Sequence, residues 1–145
     1  MRTDNEVFIA RPIAQVFAFV ADLRNERRWQ PEISAVELTS PGPVRAGSTF
    51  IEVRRTFGVS LTWHFDVVTF EPLRCIGIRS TAGWLPYTGE RRFTAVPGGT
   101  LVSERGELRL PPGLALFDGL IERLARRPVS AAYHNLKRLL EAGVS

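Results

Sequence analysis

The spacing of apolar positions along the chain changes twice. After a strand at residues 4–10, apolar side chains recur at the i, i+3, i+4 and i+7 positions of a helix, namely Ile13, Val16, Phe17 and Val20. A second short helix is expected up to residue 28. From 32 to 110 the period is two, which is typical of strands, and from about 113 to 142 it returns to the period of a helix.

The strand-like region divides into six runs joined by short turns. The runs are 33–38, 48–56, 60–70, 75–81, 87–95 and 100–108. Consecutive strands with short links predict an antiparallel meander. The long C-terminal helix must cover one face of this sheet, because neither element can leave its apolar face in water. We expect Pro128 to kink or break that helix, since proline has no N–H to donate and clashes with the preceding turn.

Alternation along the run 60–67 assigns its two faces. The inward face carries the apolar set Leu61, Trp63, Phe65 and Val67. The other face carries His64 and Asp66, which we interpret as a solvated surface rather than a relay or metal site. A turn near Gly58 is expected to place Glu52 outside, beside His64. A turn at Glu71 is expected to place Phe65 opposite Ile78.

The last predicted hairpin brings two opposite charges to the inward face. The turn at 96–99 sets Phe93 opposite Val102, and the same register sets Arg91 opposite Glu104. Charges are costly to desolvate, so this pair is expected beside a wet cavity. Three interpretations stay open: a structural ion pair, a contact with a ligand, and an electrophile with a general acid or base.

The inward-facing strand residues and one stripe of the C-terminal helix are expected to line a pocket. The predicted ligand-contacting residues are Trp63, Phe65, Ser80, Tyr87, Arg91, Phe93, Glu104, Phe117, Leu120 and Leu124. Plain core packing is the alternative for the aromatic residues. For Tyr133 and His134, beyond Pro128, ordinary helix packing or exposure is expected, although either residue is a candidate to close the pocket.

Composition narrows the classes of function. The net charge is +4, but the arginines are scattered pairs rather than one stripe, which argues against nucleic-acid binding. The single cysteine, Cys75, allows no internal disulfide and no multi-cysteine metal site, and we interpret it as a structural thiol. No apolar run reaches the roughly 18 residues that span a bilayer, so no stable membrane insertion is expected. No signal peptide is evident, so a cytoplasmic location is expected.

Four stretches in this order resemble a known family. They are VFIARPIAQVFAFVADLRNERRW, FEPLR, PGGT and NLKRLLE. The chain resembles the polyketide cyclase/dehydrase and lipid-transport branch of the START and birch-pollen-allergen superfamily, often called SRPBCC proteins. The resemblance covers essentially the whole chain. It implies an α+β helix-grip fold over residues 1–145: a curved seven-stranded antiparallel sheet around a long C-terminal helix, with two short helices between strands 1 and 2.

The resemblance also limits the functions to be considered. Members bind lipids, sterols, polyketides or hormones, and some catalyse cyclisation or dehydration. Superfamily members that hydroxylate aromatic rings need metal and iron–sulfur ligands, and this chain has only His64 and His134, so no metal or other cofactor is expected. The first hypothesis is a binder of a small hydrophobic molecule, the second a cyclase or dehydratase using the same pocket. The third is an interaction or stress-related module without a small ligand. The oligomeric state, monomer or homodimer, stays open.

Overall fold

The computed structural model describes residues 1–56 and 58–144. Seven strands form one antiparallel sheet in the order β1-β7-β6-β5-β4-β3-β2. The strands are β1 Arg2–Ile9, β2 Ile33–Leu38, β3 Thr49–Thr56, β4 Val59–Glu71, β5 Cys75–Ala82, β6 Tyr87–Val96 and β7 Gly99–Leu108. The helices are α1 Ile13–Ala21, α2 Glu26–Trp29 and α3 Asp118–Glu141, with single 3-10 turns at Leu23–Asn25 and Ala115–Phe117. This is the predicted helix-grip fold.

The two ends of the sheet differ in what covers them. We call the end with the β4–β5 and β6–β7 turns the closed end, because α1 packs there. The ring of Phe17 in α1 meets Phe93 and Phe70 edge-on, with ring centroids 5.0 and 5.7 Å apart. We call the opposite end, with the β3–β4 and β5–β6 turns and the β7–α3 link, the hairpin end.

Helix α3 runs alongside β1 in the same direction. The amino group of Met1 lies 3.0 Å from a carboxylate oxygen of Asp118 at the start of the helix. At its other end Lys137 donates to the carbonyl of Phe8 at 2.7 Å. No helix in the part of the chain that the structure describes is long and apolar enough to cross a membrane.

The expected break at Pro128 does not occur. Pro128 lies inside the single helix Asp118–Glu141. The carbonyl that loses its donor belongs to Leu124, four residues earlier, and Leu124 is exposed. Water can therefore replace the lost hydrogen bond, which makes a proline tolerable at this position.

Two of the three predicted strand registers need correction. The β6–β7 register is confirmed, with Phe93 opposite Val102 and Arg91 opposite Glu104. In β3–β4, Glu52 pairs with Trp63 and is buried, so its predicted solvent position is wrong. Thr56 pairs with Val59, whereas a turn centred on Gly58 would pair it with Ser60. A shift of one residue exchanges the two faces of a strand.

The β4–β5 register is also shifted, by two residues. Phe65 lies opposite Ser80, not Ile78, and Glu71 pairs with Cys75. The connection therefore has three residues, and Leu73 within it has a φ of 65°. A bulge between Val67 and Thr69 absorbs the extra residue. Trp63, Phe65 and Val67 are all buried, so the predicted inward face of β4 is correct.

Candidate functional site

Three aromatic side chains, two from β4 and one from β6, form a wall on the concave face. Phe65 of β4 stacks on Phe50 of β3 with ring centroids 5.0 Å apart, and Tyr87 of β6 meets Phe65 edge-on at 6.0 Å. Trp63 is 8 % exposed, and its indole N–H donates to the carbonyl of Leu85 at 2.9 Å. We call Trp63, Phe65 and Tyr87 the aromatic wall.

Two glycines hold the position of Tyr87. A Cβ atom on Gly89 or on Gly106 would lie 2.7 Å from the Tyr87 hydroxyl oxygen, closer than real Cβ atoms approach. The phenol therefore lies flat over backbone that only glycine leaves open. At the other end of this residue, the Tyr87 backbone N–H donates to Ser80 Oγ at 2.8 Å. The tyrosine ring is thus fixed at the border between the aromatic wall and the charged residues next to it.

Arg91 is the centre of a buried polar cluster beside the aromatic wall. Its Nη1 and Nη2 donate to the two carboxylate oxygens of Glu26 at 2.5 and 3.0 Å. Its Nε donates to the Tyr133 hydroxyl at 3.0 Å and lies 3.8 Å from Glu104 Oε1. The guanidinium also lies over the Trp29 ring, 4.9 Å from the ring centroid. We call Glu26, Trp29, Arg91, Glu104 and Tyr133 the Arg91 cluster.

A second arginine extends these contacts across the sheet. Gln30 donates to Glu26 and accepts from Arg54 Nη2 at 3.0 Å. Arg54 also pairs with Glu52 at 3.1 Å and with Glu32 at 3.2 Å. A continuous path of hydrogen bonds therefore links β3 through α2 to β6 and α3. Such a network is stabilising only while every member keeps its partner.

The charges in this network are unequal in number, and burial strengthens their effect on one another. Four carboxylates, Glu26, Glu32, Glu52 and Glu104, face two guanidinium groups. Burial raises the pKa of Glu26 above its ordinary value, with repulsion from Glu52 and Glu104 adding to it, although Arg91 acts in the other direction. Burial alone would lower the pKa of Arg91, but Glu26, Tyr133 and Glu104 raise it well above its ordinary value.

The phenol groups of Tyr87, beside the cluster, and of Tyr133, within it, are held in their neutral form. Burial, reinforced by Glu104, raises the pKa of Tyr87, while Arg91 opposes the change. Burial also raises the pKa of Tyr133 well above its ordinary value. Both hydroxyl groups are therefore donors as well as acceptors at neutral pH.

One donor in the cluster has no acceptor. Trp29 is 1 % exposed, and its indole N–H makes no hydrogen bond within the part of the chain that the structure describes. A buried N–H group without a partner costs roughly 1–3 kcal/mol. An oxygen atom of a bound molecule is one group that could accept from it.

The rest of the described surface carries weaker chemistry. Among the described residues, no group of three or more His, Cys, Asp or Glu side chains could hold a metal ion. A depression of about 1170 Å³ lies on the outer face of the sheet. Its lining charges pair with one another in water, as Arg92 does with Glu90 and Arg105 with Asp4. Exposed pairs of this kind contribute little, so we place the candidate site on the concave face.

A family model matches almost the whole chain. The model for polyketide cyclase/dehydrase and lipid transport matches residues 1–141. The chain belongs to the polyketide cyclase/dehydrase and lipid-transport family. No curated protein matches it.

Solved structures share the fold of this polyketide cyclase/dehydrase and lipid-transport domain at low identity. A protein from Thermus thermophilus is 20 % identical with a TM-score of 0.83, and the match covers 100 % of both chains. A START superfamily protein from Mycobacterium smegmatis is 18 % identical with a TM-score of 0.78, covering 97 % of each chain. The di-domain ARO/CYC StfQ from the steffimycin biosynthetic pathway is 18 % identical with a TM-score of 0.73, covering 97 % of this chain and 50 % of that one. These likenesses show the fold alone.

The predicted site residues of this family member fall into three groups. The first is Trp63, Phe65, Ser80, Tyr87, Arg91 and Glu104, which the structure brings together on the concave face. Phe93 lies on the same face but packs under Phe17 at the closed end. The third group is exposed to solvent: Phe117, Leu120 and Leu124 are 52, 54 and 57 % exposed. Their position does not match the expectation that this helix stripe lines the pocket. That any of these residues contacts a ligand stays a prediction.

Of the side chains in this polar network, sequence reasoning predicted only Arg91 and Glu104 as site residues. Glu26, Gln30, Glu52 and Arg54 were not among the predicted residues, and Tyr133 was expected in ordinary helix packing. Glu26 lies in a four-residue helix, which is too short to show a period. One signal was available: Glu26 stands three residues before Trp29, a spacing that puts both side chains on the same helix face.

Proposed function

We propose that the protein binds a small, largely apolar molecule that carries at least one polar group. The molecule would lie against the aromatic wall with its polar group toward the Arg91 cluster. The observation that carries this proposal is the buried bidentate pair of Arg91 and Glu26 directly beside Tyr87 and Glu104. Membership of a family described by polyketide and lipid chemistry supports the same class of ligand.

The two sides of this site would contribute differently. Burial of apolar ligand surface on the aromatic wall supplies most of the binding free energy, at about 25 cal/mol per Å². The cluster supplies orientation, because a ligand oxygen can accept from the Trp29 N–H, which has no other acceptor among the described residues. A purely apolar ligand would leave that donor without a partner.

A neutral apolar dye tests the aromatic side of the site. We expect N-phenyl-1-naphthylamine to bind with one-to-one saturation and a blue-shifted emission. Gly89→Ala forces the Tyr87 ring to move. Loss of about 0.5–1.5 kcal/mol of aromatic contact should weaken dye binding roughly two- to tenfold. Gly119→Ala is the matched control, because a Cβ at Gly119 meets nothing within 4 Å.

Two results would contradict the proposal. One is the absence of saturable dye binding by the folded protein, which would favour an interaction module without a small ligand. The other is equal affinity of the Gly89→Ala and Gly119→Ala variants, which would place the dye away from Tyr87. Native mass spectrometry of the freshly expressed protein provides an independent check, since a co-purified molecule would appear as a fixed added mass.

A cyclase or dehydratase is the second candidate function. The raised pKa of Glu26 favours it, because a carboxyl group that holds its proton more tightly than usual is better suited to act as a general acid. Arg91 would then stabilise a developing enolate, and Glu104 would exchange protons with the substrate. If Glu104→Gln abolishes turnover of an aromatic polyketide precursor while the affinity for that precursor persists, the protein is an enzyme. Unchanged turnover by the variant, or no turnover by the native protein, would rule out the cyclase or dehydratase function.

A further inference from the structure

Large exposed hydrophobic side chains are concentrated at the hairpin end. Ten such side chains occur in the part of the chain that the structure describes, and only Phe8, Val68 and Leu73 lie elsewhere. The seven at the hairpin end are Val59, Trp84, Leu114, Leu116, Phe117, Leu120 and Leu124. We call these seven the apolar end.

These residues come from three parts of the chain that reach the hairpin end. Val59 begins β4 at the β3–β4 turn. Trp84 lies in the β5–β6 turn. The Arg109 backbone N–H, just after β7, donates to the Pro86 carbonyl in this turn at 2.9 Å. The β7–α3 link and the first turns of α3 supply the other five. Leu120 and Leu124 are four residues apart in α3 and therefore lie along one helix face, and Leu116 precedes them in the 3-10 turn Ala115–Phe117.

Unpaired arginines accompany this apolar surface. Arg109, Arg123, Arg126 and Arg127 are all exposed, and none of their side chains forms an ion pair with a described residue. The two acidic residues in the first turns of α3 are already engaged. Asp118 pairs with the Met1 amino group, and Glu122 accepts from the Arg2 backbone N–H at 2.7 Å. Residues 109–127 therefore contain four arginines and two acidic residues and carry a net charge of +2.

We propose that the apolar end docks on the surface of a lipid membrane that contains anionic lipids. Leucine and aromatic side chains beside arginines are the composition of helices that lie in the membrane interface. The leucine, phenylalanine and tryptophan side chains would enter the region below the headgroups, while the arginine side chains extend to the lipid phosphates. The protein would lie on the membrane without crossing it, with the concave face opening toward it.

A second copy of the chain fits this surface less well. In a symmetric dimer the same patch meets itself, so Arg123, Arg126 and Arg127 would face the same arginines across the interface. Like charges brought together in this way oppose association. An anionic membrane instead supplies opposite charge over the whole patch.

Vesicle co-sedimentation tests the proposal. The probes are phosphatidylcholine vesicles with and without one-quarter phosphatidylglycerol, and we expect binding only to the anionic ones, weakening as salt increases. Leu120→Gln with Leu124→Gln should lower the partition coefficient by roughly tenfold for each leucine. Arg123→Gln with Arg127→Gln should lower it by roughly fivefold for each arginine.

Matched controls lie on other surfaces of the same protein. Val68→Gln with Leu73→Gln removes two hydrophobic side chains that are 46 and 45 % exposed, close to the values for Leu120 and Leu124. Arg74→Gln with Arg105→Gln removes two arginines whose side chains are 73 % exposed. Both control pairs should bind vesicles like the native protein. Circular dichroism and thermal unfolding confirm that each variant is folded.

Several outcomes would overturn the proposal. These are no binding to anionic vesicles, equal binding to neutral and anionic vesicles, and equal losses in the test and control pairs. A concentration-dependent dimer that the Leu120→Gln, Leu124→Gln pair abolishes, without vesicle binding, would assign the surface to a second copy. The arginine variant, Arg123→Gln with Arg127→Gln, should still bind the dye in the absence of vesicles. Failure of the membrane proposal can therefore be told apart from failure of the proposed function.

Discussion

The two halves of α3 have similar apolar content and opposite surroundings. The second half buries Ala132, Tyr133, Leu136 and Leu140 against β1, α2 and the core. The first half leaves Leu120 and Leu124 more than half exposed. The buried apolar contacts of this helix are therefore concentrated in its C-terminal turns, while its first turns leave an apolar surface at the hairpin end.

What anchors the second half is partly a polar contact. Tyr133 accepts a hydrogen bond from Arg91, and its ring lies 5.0 Å from that of Trp29. The buried end of the helix is therefore joined to the Arg91 cluster and through it to α2. The first half touches the rest of the chain mainly through Met1 and Arg2, at the start of the edge strand β1. Mutations in the two halves should accordingly differ in their effect on stability.

Loss of Arg91 should have the largest effect. Arg91→Met leaves the Glu26 carboxyl buried without its bidentate partner, and breaking a buried pair in this way costs about 3–5 kcal/mol. Urea denaturation measures the change in the free energy of unfolding. Arg92→Met is the control, because that side chain is 60 % exposed on the outer face of the same strand and should change stability by only about 0.5 kcal/mol. Equal effects of the two substitutions would mean that the Arg91 pair contributes nothing to folding.

Truncating one leucine in each half of α3 tests the comparison directly. Leu136 is fully buried, so Leu136→Ala should lower the free energy of unfolding by about 2–5 kcal/mol through lost burial and the remaining cavity. Leu124→Ala should change it by only about 0.5 kcal/mol in either direction. A large loss for Leu124→Ala would show that the first half packs on the protein in solution, and the apolar end would then be covered.

Much of this architecture was predictable from the sequence. The change of period gave the order of elements, and the turn at Pro97, Gly98 and Gly99 set the β6–β7 register, which correctly brought Arg91 and Glu104 together. Turns are reliable guides where glycine and proline fix their position. The β3–β4 turn contains only one such residue, Gly58, and the resulting error of one residue placed Glu52 on the wrong face.

The remaining errors have a different origin. The spacing of Phe117, Leu120 and Leu124 is that of an apolar helix stripe, but spacing does not say whether a stripe meets the sheet or remains open. Glu26 was missed because burial of a carboxyl depends on a partner that is distant in sequence, here Arg91, 65 positions away. Local patterns cannot carry information of that kind.

The pH dependence of stability has the smallest expected effect, because it reports only the difference in stability between the ionised and the neutral form of Glu26. Because the pKa of Glu26 in the folded protein lies above its ordinary value of 4.5, the folded state holds this proton more tightly than the unfolded chain. Its contribution to stability is therefore complete below pH 4.5 and is lost as the pH rises through the folded pKa. Glu26→Gln cannot titrate and lacks this loss.

We therefore expect the variant to become more stable relative to the native protein as the pH rises above 4.5. Urea denaturation at several pH values measures the difference, and Glu37→Gln, an exposed carboxylate, corrects for the general effect of removing one negative charge. The opposite trend would mean that attraction to Arg91 outweighs burial and lowers the pKa of Glu26. The second half of α3 would then be anchored to a fully ionised pair, and Glu26 could not supply a proton near neutral pH.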